Sequence, residues 1–168
     1  MGTDLSGLRK LVGKESGEIP APDKVSTSDI RHWCEVMDED RTPCHETNWE
    51  EKHAPPAMLM AWTMPPLWTP EPRATVAPHE RVLKALDEAG YDGAIGLHLD
   101  QEFFRPVSVG ERLSYRVSLD GVSRDEVQTR MGSGIQVDLL YTISNSQGDA
   151  VSRQRYSLLK FKTLHPVK

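Results

Sequence analysis

The sequence is short of several things, and each shortage closes off a class of protein. It holds two cysteines in 168 residues, Cys34 and Cys44. These are too few to staple a chain of this length, so reduced thiols in a cytoplasmic protein are the expectation. Long apolar runs are missing. The longest candidate, Ala54 to Trp68, is interrupted by Pro55, Pro56, Pro65 and Pro66 and cannot make a membrane-spanning helix. The opening Met1-Gly2-Thr3-Asp4 lacks the basic and then apolar regions of a secretory signal, so none is expected. Positive charge is in deficit: 20 Lys and Arg against 25 Asp and Glu give a net charge of −5, which argues against nucleic acid as a partner. No internal repeat or low-complexity tract is present, which removes solenoids and propellers. The length suits a single domain over 1–168 with its core at about 8–162.

Two chemical classes fall as well. Cys34, Cys44, His45 and His53 contain no Cys-x-x-Cys pair and match no standard zinc spacing, so a metal site is not expected. Gly132-Ser133-Gly134 is not arranged as a phosphate loop and fits a bulge at a strand start.

What is present divides into a helical, proline-punctuated front and a strand-rich back. Gly17 to Pro22 has the composition of a loop. Ser26-Thr27-Ser28-Asp29 then supplies a capping hydroxyl and an acid in the first turn. Ile30, Trp33, Cys34 and Met37 follow at i, i+3, i+4 and i+7, one apolar helical face that ends in the acidic run Asp38-Glu39-Asp40. A short helix is predicted from about Ala57 to Met64, entered through Pro55-Pro56 and ended by Pro65-Pro66. Its side chains are nearly all apolar, which predicts burial on every side. A third helix is predicted from Pro78 to Ala89, with Val82, Leu86 and Ala89 on one face and Gly90 as its stop.

Beyond Gly90 the period drops to two. Leu113, Tyr115, Val117 and Leu119 alternate with Arg112, Ser114, Arg116 and Ser118, and Ile135, Val137, Leu139, Tyr141 and Ile143 repeat the pattern. Gly96–Phe104 and Ala150–Phe161 are two further strand candidates, and Gly110-Glu111 and Asn145-Ser146-Gln147-Gly148 are turn signals. Antiparallel strands with helices mostly ahead of them give the α+β class. The tail concentrates Arg153, Arg155, Lys160, Lys162 and Lys168. Such a run fits a solvated strand face, or a phosphate-binding rim for coenzyme A or a phosphopantetheine carrier.

The segment with most chemical content is Asp40-Arg41-Thr42-Pro43-Cys44-His45, followed by Ala54-Pro55-Pro56-Ala57-Met58-Leu59. An acid and a histidine on a rigid loop can position a water and exchange protons with it and with a substrate α-carbon. A helix N-terminus beside them offers backbone N–H groups to a thioester oxygen that becomes enolate-like in the transition state. Asp40 also fits a plain turn residue ending the first helix, and His45 a structural histidine bonded to backbone. Met58, Met60, Trp62 and Met64 fit a core helix as well as a ligand-contacting wall.

The Asp-x-Asn-Pro-x-His pattern followed by an apolar helix with a small residue at its start resembles the MaoC-like (R)-specific enoyl-CoA hydratases. The segments Ala54–Trp62, Phe104-Arg105-Pro106-Val107 with Gly110-Glu111, and Thr129–Gly134 resemble the N-terminal dehydratase-domain branch of that family, over roughly Leu8 to Lys162. The resemblance implies a hot-dog fold, in which a central helix is wrapped by a curved antiparallel sheet, paired with a second such domain. It implies a lyase acting on an acyl-CoA or acyl-carrier thioester, with neither metal nor redox cofactor. Asp40 and His45 match the catalytic pair, the backbone N–H of Ala57 the oxyanion donor, and Met58 and Trp62 face the acyl group. Three departures stand beside these matches: Thr42 occupies the Asn position, Pro56 stands where the stronger hydratases have His, and the His45–Ala57 segment is several residues short. Two further roles remain open within the same resemblance, a substrate-holding subunit of a heteromeric hydratase and a hot-dog thioesterase. Two-subunit relatives handle long or bulky acyl groups, steroid side chains included, which sets the expected substrate. Exposed sheet edges of a small hot-dog domain imply a dimer or dimer of dimers.

Overall fold

The computed structural model describes residues 6–37, 53–65, 76–130 and 132–163. Its framework is an antiparallel sheet in the order β1 (Ile19–Lys24), β5 (Arg112–Val122), β7 (Gly132–Asn145), β8 (Ala150–Phe161), β3 (Gly93–Phe103), with β6 (Val127–Thr129) paired to β7. Strands β2 (His53–Ala54) and β4 (Val107–Ser108) form a separate small ladder. Among the described residues, four α-helices accompany them: α1 (Ser6–Arg9), α2 (Thr27–Met37), α3 (Leu59–Thr63) and α4 (Pro78–Glu88). A 3-10 turn at Pro56–Met58 leads directly into α3. No helix among the described residues is long and apolar enough to cross a membrane.

The two-residue alternation produces a sheet with one buried face. Register places Leu119 opposite Leu139, Tyr115 opposite Ile143, and Val137 opposite Leu158, so these side chains share one surface. All six are buried. Helix α4 packs on β5 and β8, and α3 on β1 and β5. Val82 and Leu86 of α4 are fully buried. The Glu80 carboxylate accepts the Ala77 N–H at 2.8 Å and closes the start of α4, and Gly90 at φ +88° ends it. Lys160, buried near the end of β8, reaches Asp87 of α4 at 2.6 Å and ties helix to sheet.

The expected elements are present with longer strands, and three expectations need correction. Gly17–Pro22 is not simply loop: Ile19–Lys24 pairs with β5 at the sheet edge despite Pro20 and Pro22. An edge position tolerates proline because one side of the strand needs no ladder donor. The helix around Ala57–Met64 is not buried all round: Met58, Leu59, Trp62 and Thr63 are buried, while Ala57, Ala61 and Met64 are exposed. Cys34, buried on α2, is disulfide-bonded rather than a free thiol, and Cys44 lies outside the described residues.

Candidate functional site

The approach to α3 is held from below by the small ladder. His53 stands opposite Ser108 and Ala54 opposite Val107, with His53 Nδ1 3.3 Å from Ser108 Oγ. Pro55, at φ −52° and ψ 131°, turns the chain, and Pro56 opens the 3-10 turn in which Met58 N–H donates to the Pro55 carbonyl at 2.9 Å. Neither proline carries an N–H. Ala57 therefore bears the first amide N–H of the turn, at an exposed position with no side-chain cap.

A cavity of about 390 Å³ lies against this turn. Pro56, Leu59 and Trp62, spaced three apart, present one helical side to it. Phe103 and Phe104, from the end of β3, and Val107 face it from the sheet side. The lining is apolar except at Arg105. That guanidinium grips Glu111 by two parallel bonds, 2.7 Å from Nη2 to Oε2 and 3.1 Å from Nη1 to Oε1. Glu111 Oε1 also accepts the Ser108 N–H at 2.9 Å. The Arg105 hydrogen bonds, with help from that N–H, hold the Glu111 carboxyl below the usual carboxylate range, against the opposing effect of burial. The same bonds raise the Arg105 guanidinium above its ordinary value. Gly110, at φ +85°, makes the turn that presents Glu111. The ion pair thus fixes β4, β4 fixes β2, and β2 delivers the chain to the first turn of the site.

The residues singled out from sequence fall in different places. Trp62 is in the cavity wall. Met58 is buried in the core beside it, and its neighbour Leu59 lines the cavity. Ala57 follows Pro56 of the cavity wall in the 3-10 turn and does not itself line the cavity. Asp40 and His45, with Thr42, lie outside the described residues. Sequence reasoning gave no role to Phe103, Phe104, Arg105 or Glu111, although the last three belong to segments that carried the resemblance; the Gly110-Glu111 turn was the available signal. The basic tail does not gather into one rim. Arg153 and Arg155 pair across β3 with Glu102 and Asp100 on the exposed face, Lys160 turns inward to Asp87, and Lys162 lies 4.8 Å above the Tyr91 ring. Lys168 is outside the described residues.

The chain matches the model of the FAS1-like dehydratase domain region over residues 10–154. It belongs to that family. Its sheet order with helices on one face is the hot-dog fold, as the resemblance implied. Among curated relatives of this dehydratase-domain family, it is 31% identical over 165 residues to the probable enoyl-CoA hydratase alpha subunit of Thermomonospora curvata, covering 92% of this chain and 51% of that protein. It is 28% identical over 174 residues to the 3-oxo-4,17-pregnadiene-20-carboxyl-CoA hydratase alpha subunit of Mycobacterium tuberculosis, covering 95% and 54%. The chain therefore spans about half the length of these relatives. A solved structure, the ChsH1–ChsH2 complex from Mycobacterium tuberculosis, superposes with a TM-score of 0.75 at 25% identity over 95% of each chain.

Proposed function

We propose that this dehydratase-family chain adds water to an enoyl thioester, or removes it from the 3-hydroxyacyl form, with a coenzyme A ester as substrate. The observation that carries the reading is the apolar cavity set against the exposed Ala57 turn, in a chain whose family match runs from 10 to 154. The acyl group would lie along Leu59 and Trp62, and the Ala57 N–H would meet the thioester oxygen as negative charge builds on it. Asp40 and His45 would hold the water and move protons between it and the α-carbon. A cytoplasmic setting, where coenzyme A esters are handled, goes with this assignment.

A second hot-dog subunit completes the proposal. The two relatives above are both named as alpha subunits, the superposing structure is a two-component complex, and this chain spans about half of those relatives. The surface offered to such a partner is the edge of β3. Among the described residues that strand pairs only with β8, and Leu97, Leu99, Phe103 and Phe104 are exposed along it and just beyond it. A strand of 11 residues with one side unpaired among the described residues and exposed apolar side chains along it is a template for a partner strand.

Hydration of a medium-chain and of a bulky enoyl-CoA, by the chain alone and mixed with a MaoC-like partner, tests both parts. Asp40→Asn and His45→Ala are each expected to lower kcat by on the order of a hundredfold or more, with the double variant little worse. Turnover surviving both changes would remove the dyad from the mechanism; seen only in the mixture, it would leave this chain the substrate-holding subunit, and otherwise it would favour the thioesterase reading. Leu99→Lys in β3 should abolish co-elution with the partner; unaltered co-elution would place the interface elsewhere.

A further inference from the structure

The basic residues of the tail are dispersed, but one of them stays beside the cavity. Val151 and Phe104 both line the wall, and the Phe104 N–H donates to the Val151 carbonyl at 2.9 Å. Two residues beyond Val151 on β8, Arg153 is exposed, and its guanidinium carbon stands 6.0 Å from the centroid of the Phe104 ring and over it. Phe104 is itself 45% exposed, so it belongs both to the cavity wall and to the surface that carries Arg153. A guanidinium over an aromatic face keeps its N–H edge free, and that edge matches the oxygens of a phosphate. Glu102 stands opposite Arg153 in the strand register, yet no ion pair closes between them, and Arg153 has none elsewhere among the described residues. Arg105, the charged residue of the described wall, is in the contrary condition: Glu111 grips it by two bonds, and the charge of Asp149 acts on it as well. The cation inside the wall is therefore committed to structure, while the cation at its solvent edge has no ionic partner.

We propose that Arg153, set over Phe104 at the solvent edge of the cavity, binds phosphate oxygens of the group that carries the acyl thioester. This inference rests on the cavity being the acyl site. A long substrate that is apolar at one end and anionic at the other then meets matching surfaces in order: Leu59 and the apolar wall, the Phe104 ring, and the Arg153 guanidinium. The phosphate comes from one of two sources. The pantetheine arm ends in a phosphate that coenzyme A and a carrier protein share, and coenzyme A bears further phosphates on its nucleotide. Arg153 is exposed, so its attraction is modest and falls as salt rises.

The test titrates three unreactive octanoyl thioesters calorimetrically into the full chain: those of coenzyme A, of 4′-phosphopantetheine and of pantetheine. Acyl group and arm are common to all three, and only the phosphates differ. Wild type is expected to bind the coenzyme A ester about fivefold more tightly than the pantetheine ester at low salt, with the preference shrinking at about 0.5 M salt. Arg153→Gln should erase that preference and leave the pantetheine ester within about twofold, whereas Arg153→Lys, which keeps the charge, should retain part of it. Arg155→Gln removes the same charge from the same face, two residues further from Val151, and should leave the preference intact. Leu59→Ala, which removes packing in the wall, should weaken all three esters alike. If Arg153→Gln weakens both phosphorylated esters, the phosphate bound is the one that coenzyme A and carrier proteins share; if it weakens the coenzyme A ester alone, the nucleotide supplies it. A coenzyme A ester bound no more tightly than the pantetheine ester by wild type, or equal losses in Arg153→Gln and Arg155→Gln, would overturn the proposal. Failure of all three esters to bind folded wild type would instead overturn the acyl-site reading, and this inference with it.

Discussion

Glu111→Ala should damage this protein out of proportion to the small area it removes. The carboxylate makes two bonds to the Arg105 guanidinium and one to the Ser108 N–H. Both side chains are well shielded, 29% exposed for Arg105 and 22% for Glu111. Hydrogen bonds to charged groups contribute about 1.5–3 kcal/mol where they are protected, and exposed pairs near zero. The partial shielding places the loss at about 2–3 kcal/mol, with the stranded guanidinium included. For a chain of this size that is a fall in Tm of about 4–12 °C. Glu15→Ala is the internal reference: Glu15 lies 3.6 Å from Arg116 with both side chains about half exposed, and its removal should cost less than about 0.5 kcal/mol. Urea unfolding of wild type and both variants gives the comparison. The pH dependence supplies a second check. Because the Arg105 bonds lower the Glu111 pKa in the folded state, the stabilisation is fully present above the unfolded carboxyl range and is lost as pH falls through the lower folded value. The gap between wild type and Glu111→Ala should therefore be constant near neutrality and shrink below about pH 4. A Glu111→Ala variant no less stable than Glu15→Ala would refute the strut and the chain of support drawn from it to the helix turn.

Two further outcomes follow from buried polar groups. Lys160 is nearly inaccessible and Asp87 about half exposed at 2.6 Å, so Asp87→Ala, which strands the ammonium, should cost about 1–3 kcal/mol. Lys160→Met should cost less; the opposite order in chemical denaturation would mean that the ammonium reaches water without Asp87. Burial, reinforced by Tyr115, Tyr156 and Glu80, pushes the Tyr141 phenol up to about 12, so its neutral form stabilises the fold fully below the ordinary value near 10 and this is lost as pH rises toward 12. Stability should decline by up to about 1 kcal/mol per pH unit in that interval, and Tyr141→Phe should flatten the decline; an identical slope in the variant would show that other groups cause it.

The strands were legible because their physics is local. In Arg112–Leu119 and Ile135–Ile143 every second residue is apolar, and only one pairing face can bury them all, so class and sheet character follow from the pattern. The three main helices were legible from their caps and prolines. What escaped was decided by contacts distant in sequence. Ile19–Lys24 has two prolines and looks like loop until β5 lies beside it. The two-residue strands β2 and β4 have no period to detect and exist through each other. At the site, the family pattern pointed to Ala57 and Trp62 before any geometry was known. Arg105 and Glu111 did not stand out, because an arginine and a glutamate six apart announce nothing until a glycine turn folds one onto the other. The cavity wall from Phe103 to Val107 was hidden for the same reason: it faces a helix some forty residues earlier in the chain.

The prolines of β1 have an effect beyond local tolerance. A sheet with two free edges can grow in both directions, and identical chains that do so make fibres. Here the two rims are unequal. Pro20 and Pro22 delete two backbone donors from one rim, and the register slips between Pro20 and Lys24, so an incoming strand finds a broken ladder there. The β3 rim, at the other side of the sheet, keeps its donors. Among the described residues, the β3 rim is the one with an unbroken row of donors. Two sheets joined along their β3 rims would present proline at both outer margins, and the assembly would end at a pair.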